Sequence, residues 1–177
     1  MMHRWIVWLL LVCVLQGMTG CATLDRRSLS TSFEDEHIQS QAITQINRLH
    51  TGIVHVNVSV FNRHVLLTGE VPSEESKNQI AQIVSGIPNI NGISNELVVG
   101  DIEGIASRTE DSLITSSVKF RFMGHSSFGS GRVKVVTEDG IVYLMGLVYR
   151  KEADSAAYIA STTKGVKKVI TMFDYLD

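Results

Sequence analysis

Cysteine is nearly absent. Cys13 and Cys21 are the only two, both close to the N-terminus, so no disulfide framework can staple the rest of the chain. Proline is almost as rare: Pro72 and Pro88 are the whole supply, too few for a Pro-rich disordered chain. Neither sign of charge dominates. Sixteen Lys and Arg face eighteen Asp and Glu, for a net charge of -2. That balance excludes the broad basic footprint of a nucleic-acid binder. Chemistry-bearing motifs are missing as well. No serine stands in a nucleophile elbow. Gly129 and Gly131 lack the following Gly-Lys-Ser or Gly-Lys-Thr of a phosphate cradle. His37, His50, His55, His64 and His125 have no compact ligand spacing. The sequence therefore predicts no catalytic residue, no metal and no cofactor. Long hydrophobic runs are limited to Trp5–Leu15, shorter than the roughly 20 residues of a spanning helix.

That run has the features of an export signal. Arg4 supplies positive charge before it, and Gln16-Gly17-Met18-Thr19-Gly20-Cys21 follows it. Small residues before a cysteine fit a signal-peptidase cleft, and the thiol can accept a diacylglyceryl group. The stretch resembles a bacterial lipobox. The resemblance implies a signal peptide over 1–20 and lipid attachment at Cys21. With Ala22 next, it also implies an anchor at the periplasmic face of the outer membrane. Two or more acyl chains anchor stably. Residues 21–31 form the lipidated N-terminus and tether.

A seven-residue pattern occurs twice in the remainder. Val65-Leu66-Leu67-Thr68-Gly69-Glu70-Val71 returns as Val142-Tyr143-Leu144-Met145-Gly146-Leu147-Val148. Alternating apolar residues predict a strand with one face on a core. A central glycine weakens a strand unless a crossing helix or a bend needs the space. Gly69 and Gly146 are thus structural motif glycines. The repeat is domain-sized, which predicts two copies of one small domain, 32–99 and 109–177, joined by a linker at 100–108.

The first copy opens with a helix near Ser32, where Ser32 and Asp35 have capping-box spacing. Its stripe is Ile38, Ala42, Ile46 and Leu49. Val54, Val56, Val58 and Val60 alternate as a strand, and Phe61-Asn62-Arg63-His64 turns into the repeated strand. Pro72 ends that strand, Ser73 caps a helix over 74–85, and 93–99 closes the domain. The second copy follows suit. Ser107 and Glu110 have capping-box spacing, and Ile114, Val118 and Phe122 form the stripe. Residues 123–131, rich in Gly and Ser, predict a mobile loop carrying Phe128. Glu138-Asp139-Gly140 makes the hairpin turn, a helix covers about 151–163, and 170–175 closes. The predicted class is α+β: two tandem small domains, each helix-strand-strand-helix-strand, with helices packed on a three-stranded sheet.

The two late helices differ. Ala153, Ala156, Ala157 and Ala160 give the second one a small-residue stripe, with Tyr158 opposite and Ile159 on the flank. An outward tyrosine suits an interface or a membrane surface. Packing on the neighbouring domain, or single exposure, explains it equally well. Lys164, Lys167 and Lys168 can approach phosphate headgroups or form a solvated run.

The element order, the glycine-centred strand and the closing Gly165-Val166-Lys167-Lys168-Val169 resemble the BON domain family, over about Phe33 to Asp177. The resemblance implies a non-enzymatic envelope protein. Lipidated members with two such domains bind anionic phospholipid through the second domain, gather at division sites and support envelope integrity. The implied surface here is 152–163 with nearby loops: Tyr158, Ile159, Thr162 and Phe128, with Lys164, Lys167 and Lys168. The alternative is a periplasmic adaptor, with the same helix docking on envelope proteins or the outer-membrane protein assembly machinery.

Overall fold

The computed structural model of the protein describes residues 25–49, 54–100, 105–125 and 130–177. The expected signal peptide, Cys21 and Phe128 lie outside the described residues. Its first half comprises α1 (Leu29–Leu49), β1 (His55–Phe61), β2 (His64–Val71), α2 (Glu74–Ser85), β3 (Gly92–Asn95) and β4 (Val98–Val99). Its second comprises α3 (Ile105–Met123), a short 3-10 turn (Ser130–Arg132), β5 (Val133–Glu138), β6 (Ile141–Val148), α4 (Arg150–Ser161) and β7 (Lys168–Tyr175). Both follow the expected α+β order.

The repeated strand is the centre of each sheet. The short link from β1 forces an antiparallel hairpin, and the helical crossover brings β3 in parallel. β5, β6 and β7 repeat that arrangement. The closing strand of the first domain is not continuous over 93–99. It divides into β3 and β4, both along β2, with the buried Leu97 between them.

Each hairpin turns through two residues in the left-handed region: Asn62 (φ 49°) and Arg63 (φ 62°), then Asp139 (φ 47°) and Gly140 (φ 71°). Such turns match the twist of the flanking strands. They leave two backbone N–H groups pointing inward, and an aspartate on the preceding helix accepts both. Asn62 and Arg63 donate to Asp35 at 2.7 Å each. Asp139 and Gly140 donate to Asp111 at 2.8 Å each. The capping-box expectation for Ser32 and Asp35 is therefore corrected. α1 begins at Leu29, Ser28 Oγ accepts from the Thr31 amide, and Asp35 is buried against the turn. α3 likewise begins at Ile105, ahead of Ser107.

Alternation along the strands builds three cores. Val65, Leu67 and Val71 face α1 and α2 with Ile38, Ala42, Ile80 and Val84. Val142, Leu144 and Val148 face α3 and α4 with Val118, Phe122, Ala156 and Ala160. The opposite faces of the sheets meet each other. Phe61 and Leu66 pack there with Tyr143 and Met145, giving helix, sheet, sheet, helix layers. Two thin domains thus bury between them what neither could bury alone. Polar bonds run along this seam. Asn62 Nδ2 donates to Asp174 at 2.8 Å, and Lys134 Nζ to the Val60 carbonyl at 3.2 Å. The segment before α1 is no free tether: Arg26 pairs with Glu152 of the second domain, and Arg27 with Asp35 of the first. Arg27 also stacks over Phe61, 4.1 Å from the ring centre.

Gly69 answers to a neighbouring strand and Gly146 to the short turn before β5, neither to a crossing helix. Gly69 has φ +112°, and a β-carbon there would collide with the His55 carbonyl of β1. Gly146 needs no positive φ, but a β-carbon would lie 2.9 Å from the Arg132 carbonyl.

Candidate functional site: the groove between α3 and α4

The outward side of the second domain carries a groove between α3 and the end of α4. Leu113, Ser116, Ser117, Phe120 and Arg121 line one wall, and Thr162, Thr163 and Lys164 the other, around about 490 Å³. Residues three and four apart on a helix share a face, so 113, 116, 117 and 120 form one stripe. It lies beside the buried stripe Ile114, Val118 and Phe122. Leu113 is 64% exposed and Phe120 is 72% exposed. Large apolar groups on the wet side of an amphipathic helix are the informative kind of exposure.

Arg121 ties the two walls together. Its guanidinium donates to the Ile159 carbonyl at 2.7 Å, to Thr163 Oγ1 at 2.7 Å and to Thr162 Oγ1 at 3.0 Å. A cation there satisfies the Ile159 carbonyl in the last turn of α4 and suits the negative end of its dipole. The start of α4 is fixed by Glu152, which accepts from the Tyr149 amide at 2.9 Å. Glu152 also receives Arg26 at 2.5 Å and Arg132 at 2.6 Å. Hydrogen bonding from Arg26 leads the forces that hold its carboxyl down at about 2.

The expected residues divide. Thr162 and Lys164 stand in the groove wall. Tyr158 is 70% exposed and sits one turn earlier on α4, its carbonyl accepting from Thr162 Oγ1. Ile159 does not face outward. It is 4% exposed, packed in the second core with Ala156 and Ala160, because the small-residue stripe draws α4 down on that flank. Lys167 lies at the hairpin turn instead, pairing with Asp139 at 2.5 Å, and Lys168 opens β7 opposite Ile141. The lysines are thus spread along the domain. Sequence reasoning missed Leu113, Phe120 and Arg121. Their signal was legible: two large apolar residues on the polar side of a helix whose buried stripe was already identified.

The BON domain model matches residues 34–101 and 110–177. The chain belongs to the BON domain family. Its two BON domains are the two halves described above. Similar proteins include the outer membrane lipoprotein DolP of Haemophilus influenzae, 34% identical over 155 residues, 86% of this chain and 80% of that protein. The 21 kDa hemolysin of Actinobacillus pleuropneumoniae is 30% identical over the same shares of each chain. The osmotically-inducible protein Y of Escherichia coli is 30% identical over 120 residues, 64% of this chain and 58% of that one.

Proposed function

We propose that this BON protein is a non-enzymatic envelope lipoprotein, held at the periplasmic face of the outer membrane by Cys21, that binds anionic phospholipid through the α3–α4 surface of its second domain. The observation that carries the reading is the pairing of exposed Leu113 and Phe120 with Arg121 and Lys164 around one groove. Apolar side chains entering the acyl boundary gain about 25 cal/mol per Å² removed from water. Cations at the same surface add roughly 1 kcal/mol each toward anionic headgroups. Tyr158, with an apolar ring and a wet hydroxyl, suits the headgroup level. No helix among the described residues is long and apolar enough to cross a membrane. Likeness to an outer membrane lipoprotein over most of both chains supports the compartment. In this reading the protein supports envelope integrity and acts at division sites; the alternative is an adaptor whose same helix docks on envelope proteins or the outer-membrane protein assembly machinery.

The test uses the chain from Ala22 onward, without lipid, floated with neutral or phosphatidylglycerol-containing vesicles. Binding selective for the anionic vesicles is expected. Leu113→Ala with Phe120→Ala should weaken it by about tenfold or more. Equal binding to both vesicle types, or none to either, would overturn the lipid reading. Mass measurement of the mature N-terminus should show a triacylated Cys21.

A further inference from the structure

A second group of side chains converges at the seam between the BON domains, away from the α3–α4 groove. We propose that His55, Glu70 and Glu138 form a site for a divalent cation of the zinc class, with ligands from both domains. One ligand atom from each residue lies within 4.8 Å of the others. His55 comes from β1 and Glu70 from β2, directly opposite one another in the antiparallel register. His55 Nδ1 is 2.8 Å from Glu70 Oε2. Glu138 comes from the end of β5 in the other domain. Its Oε2 accepts from Asn57 Nδ2 and Thr68 Oγ1, each at 2.8 Å.

The arrangement has the parts a metal site needs. An imidazole nitrogen with two carboxylates suits zinc and similar borderline ions, whereas calcium and magnesium prefer all-oxygen shells. Zinc with ligands near 2.0–2.2 Å sets tetrahedral neighbours roughly 3.3 Å apart. The ligand atoms, within 4.8 Å of one another, would come to that spacing by side-chain movements of up to about 1.5 Å. Neighbours orient Glu138: the hydrogen bonds from Asn57 and Thr68 hold its Oε2 in place, the role outer partners play around metal ligands. Gly69 lets the β2 backbone pass under the His55 carbonyl, which places Glu70 beneath the imidazole. Glu70 is buried, while His55 and Glu138 border a groove of about 420 Å³. That groove gives an entry path and room for a water as fourth ligand. Arg108 and Asp111 also line it, one of each sign, so the rim does not cancel the negative charge of the two carboxylates. Because ligands come from both domains, the ion would bind the closed pair in preference to separated domains and tighten the seam.

The experiment uses the full chain in nonionic detergent, stripped with chelator and titrated calorimetrically with zinc chloride. Calcium and magnesium chlorides serve as comparators. One zinc per chain is expected, together with a rise in the unfolding temperature that calcium and magnesium do not produce. Glu138→Gln keeps an acceptor for Asn57 and Thr68 and removes the charge. It should weaken zinc by at least about tenfold without lowering the zinc-free unfolding temperature. His55→Ala should do the same to zinc binding, and should abolish the visible absorption of cobalt bound in place of zinc. Absence of zinc binding would overturn the proposal. Binding that survives both substitutions would place the ion elsewhere and overturn it equally. Vesicle selectivity is not read in either arm, so this outcome is independent of the lipid reading.

Discussion

Gly69 and Gly146 hold the same place in the two copies and are glycines for different reasons. At Gly69 both the φ of +112° and the approach of the His55 carbonyl exclude a side chain. At Gly146 the φ is ordinary, and a β-carbon would press on the Arg132 carbonyl at 2.9 Å and on the Val148 and Phe173 side chains at 3.3 and 3.4 Å. Gly69→Ala should therefore cost on the order of 3 kcal/mol of unfolding free energy, and Gly146→Ala roughly 1. Urea denaturation of the two variants would show the ranking. Equal costs would contradict this account. Glu152 is the other residue with an environment of its own. Its carboxyl is ordinarily at 4.5 but is held at about 2, chiefly by the hydrogen bond from Arg26. A depressed acid contributes stability above its unfolded value, and that contribution is lost as pH falls. The N-terminal clasp should accordingly weaken between pH 4.5 and about 2, and Glu152→Gln should flatten this limb of the stability curve. Thermal scans across that range would read the difference.

At the level of elements, the repeated device is an aspartate on a helix holding a hairpin turn. Asp35 and Asp111 each accept two turn amides. Removing either leaves buried donors without a partner, at about 1–3 kcal/mol. Asp35→Ala should cost more than Asp111→Ala, because Arg27 also loses one of its two carboxylate partners and keeps only Asp25. Chemical denaturation of the two single variants tests the order. A capping box is a local pattern, and Ser32 with Asp35 satisfies it on paper. The partner that decides the matter lies 27 positions away, across a turn, where no periodicity reaches. Helix and strand identity fared better. The valine alternation and the Ser73 cap are short-range signals, and Ser73 does accept from the Ser76 amide. Leu113 and Phe120 were within reach of the same geometry that identified Ile114, Val118 and Phe122.

For the whole molecule, the decisive contact is sheet against sheet. Leu66, Tyr143 and Met145 are almost fully buried there. Leu66→Ala should cost about 2–5 kcal/mol, although Leu66 belongs to neither domain's own core. The wild-type pair should unfold in one cooperative transition, which calorimetry would show. Two separate transitions would mean that the seam carries little. Burial also pushes the Tyr143 hydroxyl up, from an ordinary 10 to about 12. An acid raised on folding contributes stability fully present below its unfolded value and lost as pH rises through the folded one. The seam should loosen between pH 10 and about 12, and Tyr143→Phe should remove that dependence. Ultraviolet titration of the tyrosines would show one late-titrating group in the wild type.

The sequence by itself determined the duplication, the element order, the turns and the family. Each of these rests on residues that repeat or alternate at short range. It left Lys164, Lys167 and Lys168 as one group and His55 among histidines with no compact ligand spacing. Only the tertiary structure decided that β2 and β6 are covered on both faces, that Ile159 is core, and that Lys164 stands apart from Lys167. It alone brings His55 and Glu70 to Glu138 of the other domain. The reason is physical. A strand's alternation says which residues share a face. What covers that face depends on how the second sheet docks, and docking is set by the summed fit of surfaces far apart along the chain.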